Sequence, residues 1–387
     1  MTRPLHDVRV LEFCSVASGP FCGLLLADMG ADVVKIENPR GGDSMRTWPP
    51  LNDGYSENFA SLNRNKRSVA LDLKDPTDKQ HAVDLAREAD VVVENNRPGV
   101  MDRLGLGFAD LREHNERIVY CSISAFGQDG PRAHQAGFDL TVQAISGIMS
   151  VTGEPDGPPV KCGVPVSDFA TGLYAAFAIS SALRDVATSG RGTHIDTSMF
   201  GSSLAIAALQ TSQLFGTDRD PLPLGAAHPR NAPYEVFACG DGHVAIAAGN
   251  NALWRALCEA LDRTDLLNDG RFVDTAARAT HQAELKELLE AELKAYEREN
   301  LLDLLTTAGV PAAPINTYSQ AIADPQTQAM GWVEPLELPD GNATRTFGSP
   351  LRFEGQGFPA YRRPPRLGEH TEEVAPQWSS AEAGERR

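Results

Sequence analysis

The feature that most constrains this chain lies near its N-terminus. Val8–Phe13 is an apolar run of strand character, Phe21–Met29 reads as a helix, and Asp32–Glu37 reads as a second strand. Ser18-Gly19-Pro20 breaks the first strand, and Gly30 ends the helix, as glycine does just past a helix C-terminus. Parallel strands need a long crossover between them, usually a helix, and this strand–helix–strand order is of that type. Further strands are predicted at Ser68–Leu73, Asp90–Glu94 and Ile118–Ile123, with a helix at Pro76–Glu88 between the first two. The alternation predicts a Rossmann-like α/β domain, a parallel sheet covered by helices.

The pattern continues with an apolar helix at Phe169–Val186, a strand at Thr193–Met199 and a helix at Gly201–Phe215. Residues 216–232 are rich in Pro, Gly, Asp and Arg and read as a linker. Tyr234–Ala238 and His243–Ala247 flank Cys239-Gly240-Asp241-Gly242, a hairpin signal. His281–Thr307 is charged and helical, and Val333–Phe353 returns to short strands. The tail beyond Trp378 is polar and expected to fray. A chain of 387 residues exceeds one ordinary core. The expected division is a large domain over 1–215, a linker over 216–232, a smaller α+β domain over 233–330 and a C-terminal segment over 331–387.

Charge narrows the function. Acidic residues outnumber basic ones, 52 to 35, giving a formal charge of −17. Such a surface repels phosphate backbones and anionic membranes, so neither nucleic acid nor a membrane is an expected partner. No uninterrupted apolar run approaches membrane-spanning length, and the N-terminus lacks the apolar core of a signal peptide. The cysteines, Cys14, Cys22, Cys121, Cys162, Cys239 and Cys258, form no CxxC pair and read as buried thiols of a cytoplasmic protein, with no metal-ligand set. The turn Ala17-Ser18-Gly19-Pro20-Phe21-Cys22-Gly23 lacks the glycines of a dinucleotide fingerprint. Walker A, HExxH and G-x-S-x-G patterns are absent too.

Several blocks, in order and spacing, resemble the class III CoA-transferase (CaiB/BaiF) family, which includes formyl-CoA and carnitine CoA-transferases and α-methylacyl-CoA racemases. They are Val10-Leu11-Glu12-Phe13 through Gly30-Ala31-Asp32-Val33-Val34-Lys35-Ile36-Glu37, Asn63-Arg64-Asn65-Lys66-Arg67-Ser68, and Ala89-Asp90-Val91-Val92-Val93-Glu94-Asn95 with Arg97-Pro98-Gly99. Gly137-Phe138-Asp139-Leu140, Val166-Ser167-Asp168, Gly309-Val310-Pro311 and Leu367-Gly368-Glu369-His370-Thr371 follow. The resemblance implies ring-shaped subunits in an interlocked homodimer. It implies CoA thioesters as substrates, no tightly bound cofactor, and an acyl-CoA and a small carboxylic acid as partners in the exchange. Succinyl-CoA is the donor it suggests; the acceptor is not legible.

Asp168 stands immediately before the helix at Phe169–Val186, where Asp serves as an N-cap. In the family, the aspartate at this position is the covalent nucleophile, and the two readings are compatible, because a helix N-terminus stabilises a carboxylate. Asp139 matches an acidic family position near the nucleophile; a structural hydrogen bond is the other reading. Gly249 and Asn250 resemble a glycine loop that covers the aspartate in some members, and read otherwise as a strand-end turn. Val16, Leu71, Lys74, Asn95 and Arg103, with Arg40, match CoA-binding positions; surface charge is the alternative for Lys74 and Arg103. His228 and Arg230 sit in a proline-held linker and are candidates for gripping an acceptor carboxylate. Racemases of the family carry a histidine base where this chain has Phe138, which cannot accept a proton. The racemase remains an alternative, as does a non-catalytic CoA-binding protein.

Overall fold

The computed structural model describes residues 2–380. Residues 381–387 of the tail expected to fray lie outside the described residues. Strand β1 (Arg9–Phe13) is followed by helix α1 (Ser18–Asp28) and strand β2 (Asp32–Glu37). Ser18-Gly19-Pro20 is not a break: it forms the first turn of α1. A proline there costs no helical hydrogen bond, because first-turn N–H groups have no intrahelical acceptor. The chain continues through β3 (Arg67–Ala70), α2 (Pro76–Glu88), β4 (Val91–Glu94), β5 (Val119–Ser124), α3 (Asp139–Ile145), α4 (Val166–Ser189) and β6 (Thr193–Ser198). The predicted helix over Gly201–Phe215 is two, α5 (Met199–Ile206) and α6 (Ala208–Thr217), parted at Ala207.

The six strands form one parallel sheet in the order β3-β2-β1-β4-β5-β6. Both faces of the inner strands are covered, which is why β4 reads as an apolar run, whereas the edge strand β6 is polar and largely unburied. On one face Leu11, Val34 and Val92 pack against Ala82, Leu85 and Ala86 of α2. On the other, Val10, Val91 and Val93 pack against Cys22 and Leu26 of α1 and Ala175 and Ile179 of α4. Five cysteines are buried, Cys162 is half-buried, and none is paired among the described residues. Helix α4 qualifies one expectation: by length and composition alone it is long and apolar enough to cross a membrane. In the structure it packs on α1, β5 and β6.

The chain groups into two units. Among the described residues, the first comprises 2–148, 161–219 and 326–380 and contains the six-stranded sheet. Its C-terminal stretch returns to the sheet edge: Ala70 N–H donates to Thr371 Oγ1 at 3.0 Å, and the indole of buried Trp378 donates to Asp32 at 2.8 Å. The second unit comprises residues 149–160 and 220–325. There β7 (Tyr234–Cys239) and β8 (Gly242–Ala247) form an antiparallel hairpin, with β9 (Ala312–Pro314) on the far side of β8. Helices α7 (Asn251–Ala260), α8 (Gln282–Leu293) and α9 (Arg298–Thr307) supply Trp254, Leu257, Leu289 and Leu305 to its core. The predicted helix over His281–Thr307 is interrupted where the Tyr296 carbonyl turns to accept Gly240 N–H at 2.8 Å.

Candidate active site

In the sheet, β1 and β4 are neighbours, and the chain proceeds from them in opposite directions: β2 and β3 to one side, β5 and β6 to the other. The loops leaving the carboxyl ends of β1 and β4 therefore diverge, and ligands of open parallel sheets bind in the crevice so formed. A cavity of about 260 Å³ lies at this place. Its walls are Ser15–Ser18 after β1, Asn95–Pro98 after β4, and Gln135–Phe138, with Asp168 and Met199.

Asp168 is half-buried in the first turn of α4. It is not the N-cap, which falls to Pro165. Capping passes to Asp139, whose Oδ1 accepts Ser167 N–H at 3.0 Å. Asp139 Oδ2 accepts from Gln143 Nε2 at 2.6 Å, and Gln143 Oε1 accepts Cys162 N–H at 2.9 Å. Thus the hydrogen-bonding alternative for Asp139 is what the geometry displays, and it holds the turn that carries Asp168. Burial pushes the Asp168 carboxyl up to about 6; the negative charge of Asp139 adds to the shift, and the hydroxyl and N–H of Ser18 oppose it.

Ser18 opens α1, so the amino ends of α1 and α4 both attend the Asp168 carboxylate. Partial positive charge at such ends favours an anion. Gly172 makes the close crossing of α4 on α1 feasible. A Cβ there would stand 2.8 Å from the Ser18 carbonyl oxygen and 2.9 Å from the Phe21 ring. One turn away, the rings of Phe21 and Phe169 lie 4.7 Å apart.

The turn between β1 and α1 is pinned at successive peptides. Lys35 Nζ donates to Cys14 O at 2.6 Å. Asn95 accepts Ser15 N–H at 2.9 Å and donates to Ser15 O at 2.8 Å. Asp43 accepts Val16 N–H with both carboxylate oxygens, each at 3.2 Å. Val16 has φ +67°, a left-handed backbone that is an outlier for a β-branched residue.

Of the sequence-predicted residues, Val16, Asn95 and Asp168 line this cavity together. Leu71 and Lys74 line a second one, of about 200 Å³, at the carboxyl ends of β2 and β3. The Leu71 side chain belongs to the core, Lys74 is exposed, and exposed Arg40 pairs with Asp72 at 2.6 Å beside them. Arg103 is exposed and lines neither cavity. His228, Arg230, Gly249 and Asn250 belong to the second unit. His228 Nδ1 accepts the N–H groups of Arg230 and Asn231, each at 3.1 Å. Asn250 caps α7, accepting Leu253 N–H at 2.9 Å.

Two residues escaped the sequence reading. Ser18 was masked by its place in an apparent breaker. Arg97 is an exposed cation on the wall of the Asp168 cavity, and its guanidinium has no partner among the described residues. The signal for Arg97 was its place in the Arg97-Pro98-Gly99 block. Phe138 lines the cavity, whose walls include no histidine among the described residues.

A family model described as CoA-transferase family III matches residues 5–371. A succinate–glutarate CoA-transferase of Agrobacterium fabrum is 41% identical, over 98% of this chain and 96% of that protein. A human succinyl-CoA:glutarate CoA-transferase is 36% identical, over 96% of this chain and 85% of that protein. The crystal structure of a CaiB/BaiF family protein from Brucella suis superposes with a TM-score of 0.86 at 38% identity, covering 98% of this chain and all of that one. By the extent of these matches and the α/β fold it shares with that structure, this chain belongs to CoA-transferase family III.

Proposed function

We propose that this CoA-transferase moves coenzyme A from succinyl-CoA to a small carboxylic acid, a dicarboxylate such as glutarate being the first candidate, with Asp168 as covalent nucleophile. The observation that carries the reading is the Asp168 carboxylate on the wall of the switch-point cavity, attended by Ser18. The relatives named for succinate and glutarate support the donor and the acceptor class.

The Asp168 carboxylate attacks the thioester carbonyl, forming an acyl–aspartyl anhydride and expelling CoA thiolate. The thiolate attacks the aspartyl carbonyl, releasing the donor acid as carboxylate and leaving aspartyl-CoA thioester. The acceptor carboxylate then attacks that thioester, again forming an anhydride and freeing thiolate. Attack of the thiolate on the acceptor's carbonyl yields the new acyl-CoA and restores Asp168. Each step exchanges one activated acyl bond for another, so no ATP is consumed. The Ser18 N–H and hydroxyl are suited to the negative charge that develops at the aspartyl oxygen.

In this reading residues 1–215 form the CoA-binding domain, 216–232 a linker, 233–330 the small domain and 331–387 the returning segment. Val16, Arg40, Leu71, Lys74, Asn95 and Arg103 serve CoA, which spans the two cavities. His228 or Arg230 faces the acceptor carboxylate from across the dimer, and Gly249 and Asn250 belong to a segment resembling the glycine loop that covers the aspartate in some family members. The subunit is a ring in an interlocked homodimer. Exposed Leu173 and Phe177 on α4 and Phe215 on α6 are the apolar surface that a second copy would cover. The unpaired thiols fit a cytoplasmic setting.

The test is intact-protein mass spectrometry after mixing with succinyl-CoA and trapping with hydroxylamine or borohydride. Modification mapped to Asp168, lost in Asp168→Ala, is expected. Turnover by Asp168→Ala at near the wild-type rate would sink the covalent route.

A further inference from the structure

Four charged side chains lie wholly inside the first unit, in contact with one another. Lys66 Nζ meets Glu12 at 2.8 Å, Glu12 meets Lys35 at 3.0 Å, and Lys35 meets Asp43 at 3.0 Å. Glu12, Lys35 and Lys66 are completely buried, and Asp43 is 3% exposed. Taking ions out of water is costly, and a packed apolar cluster of similar volume often serves stability as well or better. The chain of charges calls for a use beyond holding the fold.

Its geometry supplies one. The last members, Lys35 and Asp43, end on the backbone of the β1–α1 turn, at Cys14 O and Val16 N–H. Val16 is the residue held in the left-handed region, and the next residues but one open α1 at Ser18. Strain of this kind persists only where the surroundings over-determine it, and it clusters at functional sites. The opposite end of the chain reaches the same helix: Lys66 Nζ donates to Pro20 O at 2.8 Å. Asp43 is itself fixed, its N–H donating to Glu37 Oε1 at 3.0 Å while Arg46 grips the same carboxylate at 2.6 and 2.8 Å.

We propose that Asp43, backed by Lys35, is a positioning residue of the transfer reaction: by clamping Val16 N–H it holds Val16 left-handed and so aims the first turn of α1, with Ser18, at Asp168. Neither residue lines the Asp168 cavity. The proposal rests on the reading of Asp168 as nucleophile.

Asp43→Asn keeps the size and one acceptor oxygen but loses the charge that Lys35 holds in place. It is compared with the double variant Asp43→Asn/Val16→Gly, since glycine adopts positive φ without strain. In Asp43→Asn, kcat is expected to fall about tenfold or more, with KM for succinyl-CoA changing less, because sub-ångström misplacement acts on the reacting geometry. The acid limb of the kcat–pH profile should move to higher pH as Ser18 withdraws its support from the carboxylate. Because Val16 also lines the cavity, the double variant is measured against Val16→Gly alone: with glycine at 16 the loss of the Asp43 charge should cost little further kcat and leave the limb in place. Wild-type kcat in Asp43→Asn, or an equal loss from Asp43→Asn in the Val and the Gly backgrounds, overturns the proposal. If Asp43→Asn does not fold, the double variant decides: folded and active, it supports the clamp; unfolded, it assigns Asp43 to stability alone and overturns it. Asp168→Ala is assayed alongside. Activity there defeats the nucleophile reading itself, whereas an inactive Asp168→Ala with an indifferent Asp43→Asn defeats the clamp alone.

Discussion

Asp139 accepts the backbone N–H of Ser167 at 3.0 Å, one residue ahead of Asp168 in the first turn of α4. The same carboxylate therefore fixes where the Asp168 side chain starts and raises the energy of its charged form. Asp139→Asn removes the charge while its amide oxygen still accepts from Ser167; the cost is the bond from Gln143, because an amide NH2 cannot accept it. The acid limb of kcat/KM is expected to move to lower pH, while plateau activity falls by less than about tenfold. A pH–rate profile of both proteins measures it, and an unmoved limb would show that the Asp139 charge is screened from Asp168.

The wild-type profile follows from the same residue. Attack requires the carboxylate form, and burial followed by the Asp139 charge brings Asp168 to about 6. Activity should rise through about pH 6 and level off above it. The sign is that of a buried acid whose ionised form reacts. A rate already flat from pH 4.5 upward, about where an unperturbed carboxylate titrates, would contradict the burial of the group.

Stability should run the other way. Between the unfolded value of 3.8 and the folded value of about 6, the folded state binds more protons at Asp168 than the unfolded one. Its contribution is therefore lost as pH rises through that window, leaving the native protein strained at neutral pH by up to about 3 kcal/mol. Asp168→Asn removes the charge, and is expected to raise Tm more at pH 8 than at pH 5. Calorimetry at the two pH values tests this, and a Tm difference independent of pH would refute it.

Much of this could be read from the residues and some could not, for identifiable reasons. The central strands of the sheet were legible because burial on both faces writes itself as apolar runs, as in Val91-Val92-Val93. The first turn of α1 was misread, since Ser18-Gly19-Pro20 looks like a breaker until one knows that Pro20 occupies a position with no helical bond to lose. Nothing in one dimension marks Lys35 and Lys66 as buried; only the pairing of β1 with β2, and of β2 with β3, brings both onto Glu12. Asp168 had its motif by resemblance, whereas its partner Ser18 lies far away in sequence and is joined to it by the packing of two helices.

That packing gives a steric test. A Cβ on Gly172 would press on the Ser18 carbonyl oxygen and the Phe21 ring, 2.8 and 2.9 Å away. Gly172→Ala must push α4 off α1, and overpacking of this kind costs about 1–3 kcal/mol. The larger effect is expected on kcat, because Ser18 and Asp168 ride on the two helices being parted. Thermal unfolding and steady-state kinetics together test it; a stable variant with full kcat would mean that the contact between α1 and α4 does not set the site.

Arg97 carries the last expectation. It stands exposed on the wall of the Asp168 cavity, and no carboxylate among the described residues neutralises it. Both substrates of a CoA-transferase are anionic, so a cation left without an internal partner at this wall is suited to meet one of them. Removing a charged hydrogen-bonding group costs binding on the order of 1.5–3 kcal/mol, which is about ten- to a hundredfold. Arg97→Ala should therefore raise KM for one substrate by about that factor and leave the other's KM and kcat within about threefold. Arg97→Lys should restore part of the loss, as a point charge without the planar fork. Which KM moves assigns the contact: the succinyl-CoA value if Arg97 meets the thioester substrate, the acceptor value if it meets the incoming acid. Unchanged KM values for both would mean that the guanidinium faces solvent throughout the cycle.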